Sequence, residues 1–287
     1  MSERLRLGIS PCPNDTFLFH ALLEGESDRH GLEFAAELVD IEALNEGLFA
    51  GRYDLAKVSF AAALAQADRV TILPAGSALG FGVGPIVLAS PHRRPAPGVP
   101  PTVLCPGEWT TATLLWRLLH PEPAILEQRV FSEILPALRR GEADLGVCIH
   151  ESRFTWPESG LACVEDLGRT WEEATGVALP LGGIAARSDL GPDRLARAAA
   201  AVRDSLAWGL AHRTACLPTM RRHAQEETDE VLWKHVALYV NEWTLDLGSA
   251  GRTALRTLSA RARARGLLSA GAAELAILSL DERRDRR

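Results

Sequence analysis

Long apolar runs are missing from this chain. None of its 287 residues lies in an apolar stretch approaching the ~20 positions that a membrane-crossing helix needs, so membrane insertion is not expected. Paired cysteines are missing too. Cys12, Cys105, Cys148, Cys163 and Cys216 are odd in number and contain no C-x-x-C, so neither a disulfide framework nor a zinc site is written in their spacing. Positive charge is not in surplus: 31 Lys and Arg face 37 Asp and Glu, for a net charge of −6, which gives no electrostatic reason to expect nucleic acid as a partner. There is no G-x-x-x-x-G-K-[ST], no H-E-x-x-H and no G-x-S-x-G, so no nucleotide, metal or redox cofactor is implied. The opening MSERLRLGISPCPND meets Pro, Asn and Asp before a signal-length apolar stretch can build, and a cytoplasmic location is expected.

What is present is ordinary globular composition, 47% hydrophobic and 24% charged, in a length that allows one large domain or two modest ones. Organisation shows in a repeated unit. The strand Leu5 to Ile9 runs into Ser10-Pro11-Cys12-Pro13-Asn14-Asp15 and then a helix from Thr16 to Leu23. About ninety-five residues on, Thr102 to Cys105 runs into Pro106-Gly107-Glu108-Trp109-Thr110 and a helix from Thr111 to Leu119. In each copy an Asp or Thr stands where an N-cap belongs. A second unit repeats as well. Gly51 and Gly141 each suit the left-handed position that ends a helix, and each precedes an apolar strand, DLAKVS and DLGVCIH. Alternating strands and helices predict α/β structure with parallel pairing, here as two similar lobes.

Gly80-x-Gly82-x-Gly84 resembles a dinucleotide fingerprint, but Pro85 and another strand follow instead of a helix, so the segment reads as a hinge. Crossings at Ser90 to Pro101 and at Leu179 to Ala186 would divide the chain into a discontinuous lobe, residues 1–89 and 185–287, and a second lobe, residues 90–184. From Pro192 onward the pattern is helical. The Arg261, Arg263, Arg265 run reads as a solvated helix face. Two crossings imply a cleft between hinge-linked lobes.

Ligands of open parallel sheets sit beyond the carboxyl ends of the strands, where helix N-termini also point. Four strand ends supply candidates: Ser10, Asn14, Asp15 and Thr16; Lys57 and Ser59; Thr110, Thr111 and Ala112; and His150. The chain holds just two lysines, Lys57 and Lys234. A lysine near the end of an apolar strand either meets an anion or lays its stem on apolar surface, and an anion at the cleft is the favoured reading. With the amides at the Thr110–Ala112 helix start, Lys57 would suit a carboxylate-bearing ligand. His150 is either structural or a base working near neutral pH; its place at the cleft favours the base. Glu151, Ser152 and Arg153 would orient the ring, hold ligand or cap the loop. His20, His30, His92, His120, His212, His223 and His235 carry no assigned chemistry. Trp109, Trp156 and Trp171 either stack on an aromatic ligand or pack in the core, and core packing is the stronger reading.

The strings Ser10-Pro11-Cys12-Pro13-Asn14-Asp15-Thr16-Phe17, Lys57-Val58-Ser59, Gly84-Pro85, Thr110-Thr111-Ala112 and His150-Glu151-Ser152-Arg153-Phe154-Thr155 together resemble the 1,4-dihydroxy-6-naphthoate synthase family of the futalosine route to menaquinone. The resemblance extends to the C-terminal TDEVLWKHVALYVNEWTLDLG. It implies a two-lobed fold like type II periplasmic binding proteins, each lobe a mixed sheet flanked by helices. It also implies a cofactor-free carbon–carbon lyase acting on cyclic dehypoxanthine futalosine, a small anionic aromatic substrate. Carried over by motif, His150 matches the proton acceptor, and Lys57-Val58-Ser59 and Thr111-Ala112 match substrate-binding positions. Trp156 stands where Tyr is the alternative. Two other readings use the same fold: a chorismate dehydratase of the same pathway, which HESRFT disfavours, and a non-catalytic binder of an anion or other solute. A transcription-regulator effector domain is weaker, because no helix-turn-helix stretch is evident at the N-terminus.

Overall fold

Both copies of the repeated unit form the expected strands and helices, although the first helix begins at Pro13 instead of Thr16. The structure, a computed structural model, describes residues 3–150, 152–224, 228–269 and 271–279. The first copy comprises β1 (Glu3–Ile9), α1 (Pro13–Glu24), β2 (Leu32–Leu38), α2 (Ile41–Phe49) and β3 (Leu55–Ser59), with β1 central and parallel to β2 and β3. Then come α3 (Phe60–Ala65), β4 (Val70–Ile72), β5 (Ala78–Gly80) and β6 (Ile86–Ala89). The second copy comprises β7 (Thr102–Cys105), α4 (Thr111–Leu119), β8 (Ile125–Gln128), α5 (Phe131–Arg139) and β9 (Leu145–Cys148), with β7 central and parallel to β8 and β9. Gly51 and Gly141 have φ of 65° and 71°, so each lies in the left-handed region directly after its helix, where a side chain would be strained.

The chain continues through α6 (Ser152–Thr155), β10 (Ala162–Asp166), α7 (Leu167–Thr175) and β11 (Leu179–Arg187). After β11 it is helical, as expected, through α8 (Pro192–Ala211), α9 (Leu217–His223), α10 (Asp229–Tyr239), α11 (Glu242–Leu245) and α12 (Gly248–Ala264), before the two-residue strand β12 (Ala276–Ile277). Each parallel trio gains an antiparallel neighbour from outside its own repeat, β11 beside β3 and β6 beside β9. The result is two mixed sheets, ordered β12-β4-β11-β3-β1-β2, with β5 also on β11, and β10-β6-β9-β7-β8.

That pairing moves the crossings. Strand β6 belongs to the second sheet and β11 from Leu179 onward to the first, so residues 86–89 and 179–184 lie in the opposite lobe from the one their sequence position suggested. An apolar strand such as Ile86–Ala89 reads as buried in either sheet, and its pattern does not name its partner. The chain crosses instead at Gly82 to Pro85, where Gly84 packs against Gly168. A Cβ built on Gly84 would come within 2.2 Å of the Gly168 Cα. The Ser90 to Pro101 segment, exposed over residues 91–100, links β6 and β7 within one sheet.

Three apolar clusters hold the layers. One packs α1 against α8, α9 and α10 over one face of the first sheet, burying Phe17, Leu18, Val202, Leu206 and Val236. A smaller one packs α5 on the second sheet through Ile134 and Leu138. The largest runs from Tyr53 and Phe60 through Leu115 and Trp171 to Leu255 and Leu258, so it joins the two lobes. No helix among the described residues is long and apolar enough to cross a membrane.

Candidate active site

The carboxyl ends of β1, β3 and β9 and the start of α4 meet at one cleft between the lobes. Its walls carry Ser10, Asn14 and Asp15, then Lys57, Val58 and Ser59, then Thr110, Thr111 and Ala112, and finally His150. With its open mouth included, the cleft encloses about 650 Å³. Val83, Gly84 and Pro85 of the crossing, Leu181 and Gly182 of β11, and His235 and Tyr239 of α10 also line it.

Asp15 does not cap α1. Cys12 is the N-cap residue and makes no side-chain cap, with Pro13 supplying the first position at a φ already suited to a helix. The Asp15 carboxylate is fully engaged elsewhere. Lys57 Nζ donates to Oδ1 at 2.6 Å, Asn14 Nδ2 to the same oxygen at 2.8 Å, and Ser10 Oγ to Oδ2 at 2.6 Å. Lys57 also donates to the Gly76 carbonyl at 3.4 Å. The expected free ammonium is therefore half of a buried ion pair, and an incoming anion would meet a charge that Asp15 already offsets.

The remaining polar groups divide between structural bonds and the cleft. Ser59 Oγ accepts from Asn45 Nδ2 at 3.2 Å, which leaves its hydroxyl proton for the cleft. Thr110 caps α4: its side chain accepts from the Thr113 amide and donates to the Gly107 carbonyl. The Thr111 hydroxyl is consumed in joining the lobes, accepting from the Ala61 amide at 3.2 Å and donating to the Leu181 carbonyl at 2.7 Å. What α4 offers a ligand is thus its first-turn amides at Thr111 and Ala112, which have no acceptor within the helix. A second bridge lies beside it, where Glu42 of α2 accepts from the Trp109 amide at 2.9 Å. Burial raises the Glu42 carboxyl against that bond.

His150 follows β9 with φ of 56°, one of two non-glycine residues among those described in the left-handed region. Such a conformation is uncommon for a side chain this size and recurs where geometry serves a site. Its ring packs on Phe131 at 4.7 Å and lies with Nδ1 3.3 Å from Cys12 Sγ, so the second lobe's imidazole touches the first lobe's loop. Burial pushes the imidazole down to about 4; Asp15 opposes that shift and Lys57 adds to it. A neutral imidazole is the form that accepts a proton.

Some expectations fall outside this arrangement. Arg153 does not line the cleft: its guanidinium donates to the Gly84 carbonyl at 2.8 Å and pairs with Asp166 at 2.6 Å, bracing the crossing. Glu151 lies outside the described residues. Trp171 is buried in the joint core, Trp156 packs on the second lobe's core, and Trp109 stacks on Phe49 at 4.4 Å; none of the three lines the cleft. In the other direction, His235 and Tyr239 reach the cleft from a helix nearly ninety residues beyond His150, and sequence reasoning assigned His235 no chemistry. The available signal was the one-turn spacing His235–Tyr239 on a helix whose neighbours Leu232 and Val236 are apolar.

Two mixed sheets joined by crossings, with a polar-ended cleft between them, make up the two-lobed fold seen in periplasmic binding proteins. The alkanesulfonate-binding protein of Xanthomonas axonopodis shares this fold at a TM-score of 0.69 and 14% identity, with 94% of this chain and 96% of that one covered. A crystal structure of an Archaeoglobus fulgidus protein superposes at 0.86 with 30% identity, covering 92% and 98%. The sequence pattern of the menaquinone biosynthesis family matches residues 5–264, and the chain belongs to that family. Two curated relatives are named 1,4-dihydroxy-6-naphthoate synthase. The Thermus thermophilus protein is 47% identical over 265 residues, covering 92% of this chain and 96% of the relative. The Streptomyces coelicolor protein is 41% identical over 277 residues, covering 94% and 96%.

Proposed function

We propose that the protein is a 1,4-dihydroxy-6-naphthoate synthase, a lyase that splits cyclic dehypoxanthine futalosine into 1,4-dihydroxy-6-naphthoate and a small sugar-derived fragment. The observation that carries this reading is His150, a neutral imidazole held at the cleft by a left-handed backbone, in a chain whose residues 5–264 match the menaquinone biosynthesis family. His150 accepts the proton of a substrate hydroxyl. The carbon–oxygen bond becomes a carbonyl on the departing fragment, the adjacent carbon–carbon bond breaks, and its electrons pass to the ring carbonyl as an enolate. Taking up the proton gives the hydroxyaromatic product, and aromatisation drives the step.

The first-turn amides of Thr111 and Ala112 and the Ser59 hydroxyl receive the substrate carboxylate. The Lys57–Asp15 pair then serves to fix Ser10 and the α1 loop at the cleft floor instead of binding the anion by itself. Closure of the lobes excludes water from the enolate. We place this biosynthetic step in the cytoplasm and assign it no cofactor.

The test is direct. Purified protein incubated with the cyclic futalosine, with no metal or nucleotide added and chelator present, is expected to generate naphthoate absorbance. Tight binding without turnover would instead make the protein a solute binder of the same fold, and turnover of chorismate in its place would make it a dehydratase.

A further inference from the structure

His235 is 1% exposed, it lines the cleft, and neither ring nitrogen has a hydrogen-bond partner among the described residues. A buried polar atom left unpaired is expensive, and native structures rarely tolerate one without a purpose. Its surroundings explain why no protein group satisfies it. The ring lies 4.6 Å from the Tyr239 ring, 6.5 Å from that of Phe154 and 6.2 Å from that of His150, the last nearly parallel at 17°. Burial holds the imidazole neutral, well below its usual range, and the neighbouring His150 and Lys57 add to that shift. A neutral imidazole carries one N–H donor and one acceptor. Neither has a partner among the described residues, and the residue that carries them lines the cleft.

We infer that His235 is a second catalytic residue, whose ring N–H donates to the substrate oxygen on which negative charge develops as the carbon–carbon bond breaks. The inference rests on the lyase reading above and adds a residue to it. His150 removes the hydroxyl proton, the bond's electron pair moves onto the carbonyl oxygen, and the His235 N–H meets that oxygen without giving up its proton. The proton held by His150 then returns to the enolate, so the imidazoles end as they began. Neutrality is compatible with this role, because a neutral imidazole keeps one N–H and holds that proton firmly, and in a low-dielectric cleft a preorganised donor acts most strongly where charge appears.

The test compares His235→Gln, which keeps an N–H donor, with His235→Phe, which keeps ring volume and loses it. His235→Phe is expected to lower kcat at least tenfold with KM within threefold of wild type, and His235→Gln to recover a substantial part of that loss. Equal kcat in His235→Phe and wild type overturns the inference. So does an equal loss in both variants accompanied by lower melting temperatures, since that marks a packing role. A measurement independent of turnover separates this inference from the lyase reading. In protein carrying 15N-labelled histidine, 1,4-dihydroxy-6-naphthoate is expected to shift a ring-nitrogen resonance that disappears in His235→Gln. If wild type fails to turn over the cyclic futalosine, the lyase reading falls. If wild type turns over and the His235 resonance ignores the naphthoate, His235 does not touch the ligand and this inference falls alone.

Discussion

Asp15 and Lys57 bury a complete ion pair at the cleft floor, their charged atoms 2.6 Å apart and their side chains 2% and 6% exposed. Removing the lysine strands a buried carboxylate that still accepts from Ser10 and Asn14. Lys57→Ala is therefore expected to destabilise the fold by about 3–5 kcal/mol, read by denaturant unfolding, while Lys57→Met with Asp15→Leu regains most of it. Wild-type stability in Lys57→Ala with only a raised KM would show that the ammonium serves the ligand and not Asp15.

His150→Asn is expected to fold and to bind 1,4-dihydroxy-6-naphthoate, but to lose at least ~10²-fold in kcat, the usual scale of general-base help. Steady-state turnover beside calorimetric binding decides it. Near-normal kcat removes His150 from the chemistry.

The acid limb of kcat/KM should also lie low. A base must be unprotonated, and the free-enzyme imidazole is held at about 4. Activity is then expected to persist as pH falls past 6 and to fail near 4, against the ~6.5 of an ordinary histidine. A limb near 6.5 would mean that the cleft does not desolvate this ring.

Stability carries the same signature with a definite sign. His150 and His235 both have folded-state values below their unfolded ones, so the unfolded chain binds more protons in the interval between. Their contribution is intact above about pH 6.5, declines as pH falls from there, and for His150 levels out below about 4. Unfolding midpoints from pH 7.5 to 4 are expected to fall less steeply in a His150→Asn, His235→Phe double variant than in wild type. Parallel slopes would assign the acid sensitivity to carboxylates.

Gly84→Ala tests the crossing. The added Cβ meets the Gly168 backbone, which has no side-chain end to move aside. A loss of about 1–3 kcal/mol is expected in thermal unfolding, the usual scale of overpacking. An unchanged melting point would mean that the two backbones separate freely there.

The repeat was legible because each copy spells local physics. Strand periodicity, a helix-ending glycine at Gly51 and Gly141, and a capping threonine at Thr110 all act within a few residues of themselves, and all three formed as read. The cap at Asp15 did not, because a lysine forty-two positions away claims that carboxylate. The sheet to which Ile86–Ala89 belongs was equally hidden, since antiparallel pairing with β9 depends on a strand formed about sixty residues later.

The sequence alone determined the α/β alternation, the duplicated unit, the strand ends that carry Ser10, Lys57, Thr110 and His150, and the family motifs. These rest on short-range spacing. Only the tertiary structure decided that Lys57 arrives already paired, that Arg153 braces a crossing instead of a ligand, and that His235, its ring nitrogens without a partner among the described residues, lines the cleft. Each of those outcomes is set by which distant group a charged or polar atom meets when water is removed, and no local pattern encodes the meeting.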